Sequence, residues 1–342
     1  TRSGNQSTSA TARAMPARFM MGPGGGPGGP PPGGAGGLGG PGDASVSAPS
    51  EVLAAYTLDG GAETITGQTF TASDTDESAI YVANGGALTL TDATITTTGN
   101  TSSSDSSSFY GVNAAVLAAN GGAINLSNST ITTEGEGANG AFATGEGSSV
   151  TLSDVTISAV GNGAHAVMAT LGGAMALANV SMTTAGASSG AIATDRGSGK
   201  IIVTGGVVTT SGQNSPGIYS TGAITVSGAT ITATGAEAAV IEGANSIALT
   251  DVSLSSSKDD KWGVMIYQSM SGDAEGTEGV FTMTGGSLAY TAANGPLFYV
   301  TNSTGAITLK GVEIIAPSGS LVKASTGAWG NNGSNGGNVI LT

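Results

Sequence analysis

From residue 87 the chain repeats one pattern of apolar and polar positions. An apolar residue is followed by another two places on and by a third five places after that. ALTLTDATITT at 87, AINLSNSTITT at 123, SVTLSDVTISA at 149 and AMALANVSMTT at 174 show it first. KIIVTGGVVTT at 200, AITVSGATITA at 223, SIALTDVSLSS at 246, VFTMTGGSLAY at 280 and AITLKGVEIIA at 306 continue it. The triplets run from Leu88/Leu90/Ile95 to Ile307/Leu309/Ile314, and Val339/Leu341 reads as the start of a tenth. Residues two apart share one face of a strand, so each leading pair predicts an inward-facing strand. The five-residue step crosses a short polar corner (Asp-x, Gly-Gly or Gly-Ala) and opens a second strand. A third apolar pair, such as Ile80/Val82, Val116/Ala118 or Val167/Ala169, precedes a glycine turn.

Successive repeats start 23–26 residues apart where they are most regular and 32–36 apart where a loop intervenes. Three short strands in that period suit one coil of a parallel β-helix, whose crossovers are right-handed by strong preference. The predicted fold is therefore all-β, a parallel β-helix of about ten to eleven coils with three short strands per coil. It occupies residues 51–342, and residues 1–50 form a Gly/Pro-rich extended tail or assembly arm. A β-sandwich, the rival all-β architecture, offers no reason for a fixed triplet register. At ~4.8 Å per coil the rod is about 50 Å long.

Composition sharpens this picture. Among 342 residues there are 59 glycines and only 9% charged residues, so large side chains for a round core are scarce. With no cysteine, disulfides and thiolate metal sites are excluded. No run of 18 apolar residues occurs, so no membrane-spanning helix is expected. A chain opening on Thr1 fits removal of a leader, or a trimmed chain. Charge is divided: residues 1–42 hold Arg2, Arg13 and Arg18 and no acid, whereas all 23 acids lie from Asp43 onward with six cations. The body is thus at −17, which argues against nucleic acid as a partner. The basic tail, by contrast, suits docking on an acidic neighbour.

Both ends of the predicted rod expose strand edges and an apolar cross-section. Val339, Ile340 and Leu341 form an open strand at one end. In MPARFMMG (15–22), Phe19, Met20 and Met21 are apolar anchors outside the repeat, expected to lie along a neighbouring copy or to fray.

Residue constellations suited to catalysis are sparse in the sequence. The body's cations are Arg196, Lys200, Lys258, Lys261, Lys310 and Lys323, and no two share a coil position. Asp92, Asp154 and Asp251 share one corner position in non-adjacent coils, which points to turn chemistry before acid–base work. Asp74, Asp76 and Glu77 in ASDTDES offer a weak cation loop. His165, the single histidine, is expected to face outward from a turn. Neither a catalytic residue, a metal ligand nor a cofactor is assigned, and the chain is expected not to be an enzyme. Threonine pairs such as Thr94/Thr96 and Thr130/Thr132 line the outer face of the second strand, a pattern similar to ice-binding β-helices. Threonine is also an ordinary outward β-former. Three loops carry aromatic residues: 98–113 with Phe109 and Tyr110, 255–279 with Trp262 and Tyr267, and 316–337 with Trp329. Loops on a rigid scaffold are common recognition elements, so Trp262, Tyr267 and Trp329 are candidates for sugar stacking or subunit contact.

The GGxhxhxxxxh repeat with Thr/Ser-rich outer positions resembles the passenger domains of bacterial autotransporters and related right-handed β-helix adhesins, over about residues 52–342. That resemblance implies export, surface exposure, and adhesive or structural work; no functional residue carries over from it. The 342 residues depart from the autotransporter pattern in containing no C-terminal translocator barrel, which fits a processed product or another route of export. The expected function is a secreted structural subunit of an extracellular filament or surface layer. Its partner is a second copy of itself, stacked head to tail, with the tail on a neighbour. The alternative is a monomeric cell-surface adhesin that binds surface glycans or host cells. A polysaccharide lyase or hydrolase and an ice binder rank behind both.

Overall fold

The computed structural model describes residues 47–196, 198–268, 276–325 and 337–342. Leu53–Asp59, Ala62–Thr66 and Thr69–Ala72 form the first coil of a parallel β-solenoid. The same three-strand order repeats through a tenth coil, Phe298–Thr301, Thr304–Lys310 and Glu313–Ile315. Val322–Ala324 and Asn338–Leu341 then begin another. Each coil contributes one strand to each of three parallel sheets of 11, 11 and 10 strands. Sheet A contains Leu53–Asp59 and its successors, sheet B contains Ala62–Thr66 and its successors, and sheet C contains Thr69–Ala72 and its successors.

The apolar triplets set the register. Val150 pairs with Ile124 and Met175, and Ile157 pairs with Ile131 and Met182, so each inward position stacks on its equivalent one coil away. From Leu88 to Ile307 these columns are buried together with the inward residues of sheet A. Each such side chain contributes about 1.5–3 kcal/mol on burial. The last triplet is corrected by two residues: Leu341, not Val339, pairs with Ile307, because the Thr304–Lys310 strand starts early and Val339 meets Gly305.

The corner between sheets B and C explains the recurring Asp, Asn and Gly. Asp92, Asn128, Asp154, Asn179 and Asp251 have φ of 50–56°, and Gly205, Gly228, Gly285 and Gly311 hold the equivalent place at 63–67°. Asx side chains and glycine tolerate this left-handed conformation, which other residues resist. The corner between sheets C and A imposes a stricter demand. A Cβ on Gly135, Gly161, Gly186 or Gly212 would lie 1.7–1.9 Å from the carbonyl oxygen of the glycine one coil below. Glycine alone lets consecutive coils close to strand spacing there.

The 98–113 insertion is not all loop. Ser104–Tyr110 forms helix α1; the Ser103 hydroxyl accepts from the Ser106 N–H, and Gly111 ends the helix at φ 71°. An N-cap serine, Asp105 in the first turn and a left-handed glycine supply a complete set of stop and start signals.

Candidate functional site

Sheets B and C turn their outward residues to water, as Thr94, Thr130, Thr151 and Thr225 show. The Thr columns on sheet C are real: Thr94 pairs with Thr130, Thr130 with Thr156, and Thr156 with Ser181. Sheet A behaves differently. Its strands alternate in the usual way, Val167 and Ala169 inward and Met168 outward, yet the outward residues are buried as well. Leu117, Phe142, Met168, Tyr219, Met265 and Tyr299 belong to one apolar cluster on that outer face, none more than 6% exposed.

Polar chemistry converges inside this cluster. Glu242 is 2% exposed, and the Tyr267 hydroxyl donates to its Oε2 at 2.7 Å. The Tyr219 hydroxyl donates to the same oxygen and lies 3.4 Å from the Tyr267 hydroxyl. Burial first, and the Glu242 charge second, hold both phenols well above their ordinary range. They are therefore fixed donors. Asp195, 1% exposed, stands two coils before Glu242 on the same face. Beyond them Trp262 stacks on Tyr299 with ring centroids 4.2 Å apart, and the Lys323 ammonium sits 5.5 Å from the Tyr299 ring centre.

Helix α1 covers the start of this face. Gly111 packs against Phe142 and Leu117 so closely that a Cβ would come within 2.6 and 2.7 Å of them. The Phe109 carbonyl accepts from the hydroxyls of Thr144 and Thr170, and the Arg196 guanidinium lies 3.6 Å over the Phe109 ring. This is a packed sheet face carrying buried acids and aromatic rings.

Trp262 and Tyr267, expected on a recognition loop, are 7% and 1% exposed. The loop placement is corrected for Tyr267, whereas Trp262 does lie in the connection between Ser253–Ser256 and Val264–Tyr267 but is buried there. Tyr267 ends the sheet A strand Val264–Tyr267, and Trp262 is pinned between Lys261 and Tyr299. Trp329, Phe19, Met20 and Met21 lie outside the described residues.

His165 is also corrected from surface to interior. It is 2% exposed, and its Nδ1 lies 2.9 Å from the Gly190 carbonyl oxygen. It lies just before the strand that opens at Val167, and Ala166 and Val167 both belong to the inner cluster, so alternation does not fix its side; its burial comes from the neighbouring coil at Gly190. Burial pushes its imidazole down to about 4, against the opposing pull of the Gly190 carbonyl. Glu237, fully buried at the same corner, forms an ion pair with Lys261 at 3.6 Å, and Lys261 also donates to Asn214. Burial holds the Glu237 carboxyl above its usual range, although Lys261 opposes it.

In ASDTDES the acids serve their own loop. The Asp76 carboxylate accepts from the Ser102 N–H and from the Ser102 and Thr101 hydroxyls, and the Glu77 carboxylate accepts from the N–H groups of Ser73 and Asp74. Burial works against the Asp76 charge, but those donors outweigh it and hold the carboxyl below its ordinary value.

The two ends of the solenoid differ. Ile314 and Leu341 occupy inward columns that Leu288 and Ile307 fill one coil earlier, yet they are 42% and 49% exposed. At the other end the inward columns of Leu88 and Ile80 are continued by Glu63 and Tyr56, joined by a 2.6 Å hydrogen bond. The first coil keeps the Glu63-x-Ile65-x4-Phe70 spacing with a carboxylate in the first apolar place, so it does not show the apolar triplet.

No family model matches the chain, and neither a curated protein nor a solved structure matches it.

Proposed function

We propose that this chain is a structural, self-associating rod, a subunit of an extracellular filament or surface layer built by end-to-end stacking of solenoid coils. The carrying observation is the exposed apolar rim of the last described coil. Ile314 and Leu341, 42% and 49% exposed, stand in columns that every earlier coil fills and its successor buries. Another coil at strand spacing meets that requirement, and the first coil of a second copy is the proposed cover. Such a contact is heterologous, and heterologous contacts propagate unless they close into a ring. The Thr/Ser-rich repeat, similar to that of surface β-helix adhesins, supports an extracellular setting.

Glu63 tunes the joint. In-register stacking continues the Ile307–Leu341 column into the Glu63 column of the next copy, which desolvates a carboxylate. The Tyr56 hydroxyl offsets part of that cost, and Phe70 packs edge-on against the Tyr56 ring at 5.4 Å. Electron microscopy of the purified chain tests the reading. Filaments with an axial repeat near ~50 Å, lost in Ile314→Lys/Leu341→Lys, are the expected result. Dispersed rods at all concentrations, or filaments unchanged by the double variant, refute it.

A further inference from the structure

Lys200, Lys258, Lys310 and Lys323 are exposed, but Lys261 is buried, only 6% exposed. It lies in the corner between Ser253–Ser256 and Val264–Tyr267. Its side chain reaches back past the preceding corner, where Glu237 is fully buried, to the corner before that, where Asn214 is half-buried. The Lys261 Nζ stands 3.1 Å from Asn214 Oδ1 and 3.6 Å from Glu237 Oε1. The Trp262 ring centre is 5.9 Å from the same nitrogen.

A static ion pair accounts poorly for this arrangement. Buried pairs stabilise a fold only where good geometry and further hydrogen bonds offset the loss of water. Here the pair is wider than a hydrogen bond, and neither Glu237 carboxylate oxygen has a hydrogen-bond partner among the described residues. Lys261 gives its close contact to a neutral amide instead.

We infer that Lys261 and Asn214 join through an intramolecular isopeptide bond, with Glu237 as the proton carrier, so that three consecutive corners are clamped covalently. An amine, a primary amide and a buried carboxyl are the groups this reaction needs, and no oxidant or cofactor enters it. Burial disfavours both charges of the pair, so the Lys261 ammonium passes a proton to Glu237 and leaves a neutral amine beside a neutral carboxyl. The Glu237 carboxyl is held above its usual range by burial, against the pull of Lys261, which favours that transfer.

The Nζ lone pair then attacks Asn214 Cγ, one carbonyl bond (about 1.23 Å) beyond the oxygen it contacts. Glu237 lends its proton to that oxygen and takes one from Nζ. It next protonates Nδ2, the Cγ–Nδ2 bond breaks, and ammonia leaves as the hydroxyl proton returns to the carboxyl. One amine and one primary amide become one secondary amide and one ammonia, with no change of oxidation state and Glu237 regenerated. The product replaces a buried charge pair by neutral groups, which removes the desolvation cost of the starting site. Tyr290 helps to hold the reactants in place, because its hydroxyl donates to the carbonyls of Lys258 and Asn294 and so fixes the loop that carries Lys261. The bond lies within the rod and is independent of end-to-end stacking.

Mass spectrometry of the full chain tests this. The folded wild type, denatured just before measurement, should be lighter than its sequence by about 17 Da, the mass of ammonia. Trypsin should fail to cut after Lys261 and should yield a branched product joining residues 201–258 to 259–310. Lys261→Arg keeps the cation but does not form the amide, and should show the full mass. Glu237→Gln should link at least about tenfold more slowly, timed from refolding. A wild type of full mass after prolonged incubation overturns the inference without recourse to any variant. So does a loss of ammonia with normal cleavage after Lys261, which assigns the loss to an asparagine succinimide. Linkage of Glu237→Gln at the wild-type rate overturns the role given to Glu237.

Discussion

Acid should loosen this solenoid at His165, and the effect can be isolated because the chain contains one histidine. In the native state the ring is buried and neutral; its Nδ1–H donates to the Gly190 carbonyl, and Nε2 has no partner among the described residues. Protonation at Nε2 would place a charge and an unmet donor in the interior. The imidazole is accordingly pushed down to about 4, whereas an unfolded chain holds it near ~6.5. Between those values the unfolded state binds more protons, so stability rises with pH through this window. The contribution is whole above about 6.5 and is lost as pH falls toward 4.

The separation of some two and a half pH units corresponds to roughly 2–3 kcal/mol between about pH 7.5 and 4.5. The assay compares the wild type with His165→Gln, which keeps a polar side chain and cannot titrate. Urea unfolding is followed by circular dichroism at both pH values. Glu237 moves the opposite way, because its raised carboxyl gains stability as pH falls, but it does so equally in both proteins and cancels in the difference. Wild type should lose roughly 2–3 kcal/mol more than the variant on acidification. An identical pH slope in the two proteins would refute the argument. So would an NMR titration of the His165 ring in the folded state with a midpoint near ~6.5.

Other expectations are briefer. Gly186→Ala sets a Cβ 1.8 Å from the Gly161 carbonyl, so it should cost about 3 kcal/mol through forced separation of two coils, read from the urea midpoint. Tyr219→Phe removes one of two phenol donors to the buried Glu242 carboxylate and should cost about 1.5–3 kcal/mol, whereas Glu242→Gln in the same background should recover part of that loss. Glu63→Gln takes a charge out of the proposed joint and should lower the concentration at which filaments form, measured by light scattering. An unchanged threshold there would remove Glu63 from the contact.

The coil period, the three strands per coil and the B–C corner were legible in the sequence because each rests on local chemistry. Apolar residues two apart must share a face, and Asp92, Asn128 and Gly205 tolerate the left-handed backbone of the corner in any context. Register needed only the triplets, except at the last coil, where Gly305 extends a strand and shifts Leu341 onto Ile307. The Ser103, Asp105 and Gly111 signals of α1 were equally local, though they were obscured in a Ser-rich loop.

What only the tertiary structure decided is what covers what. VLAA, VMAT and VMIY are nearly continuous apolar runs, the mark of a strand buried on both faces, but alternation alone cannot say which outer face is closed. That depends on α1 folding back over Leu117 and Phe142 and on residues far apart in sequence meeting on one side of the rod. Tyr267 and His165 were misplaced, and Trp262 was put in the right loop but taken as accessible, for the same reason. Burial is a property of neighbours from other coils, 23 to 61 residues away in the hydrogen bonds of this face and its corner, and no local pattern contains them.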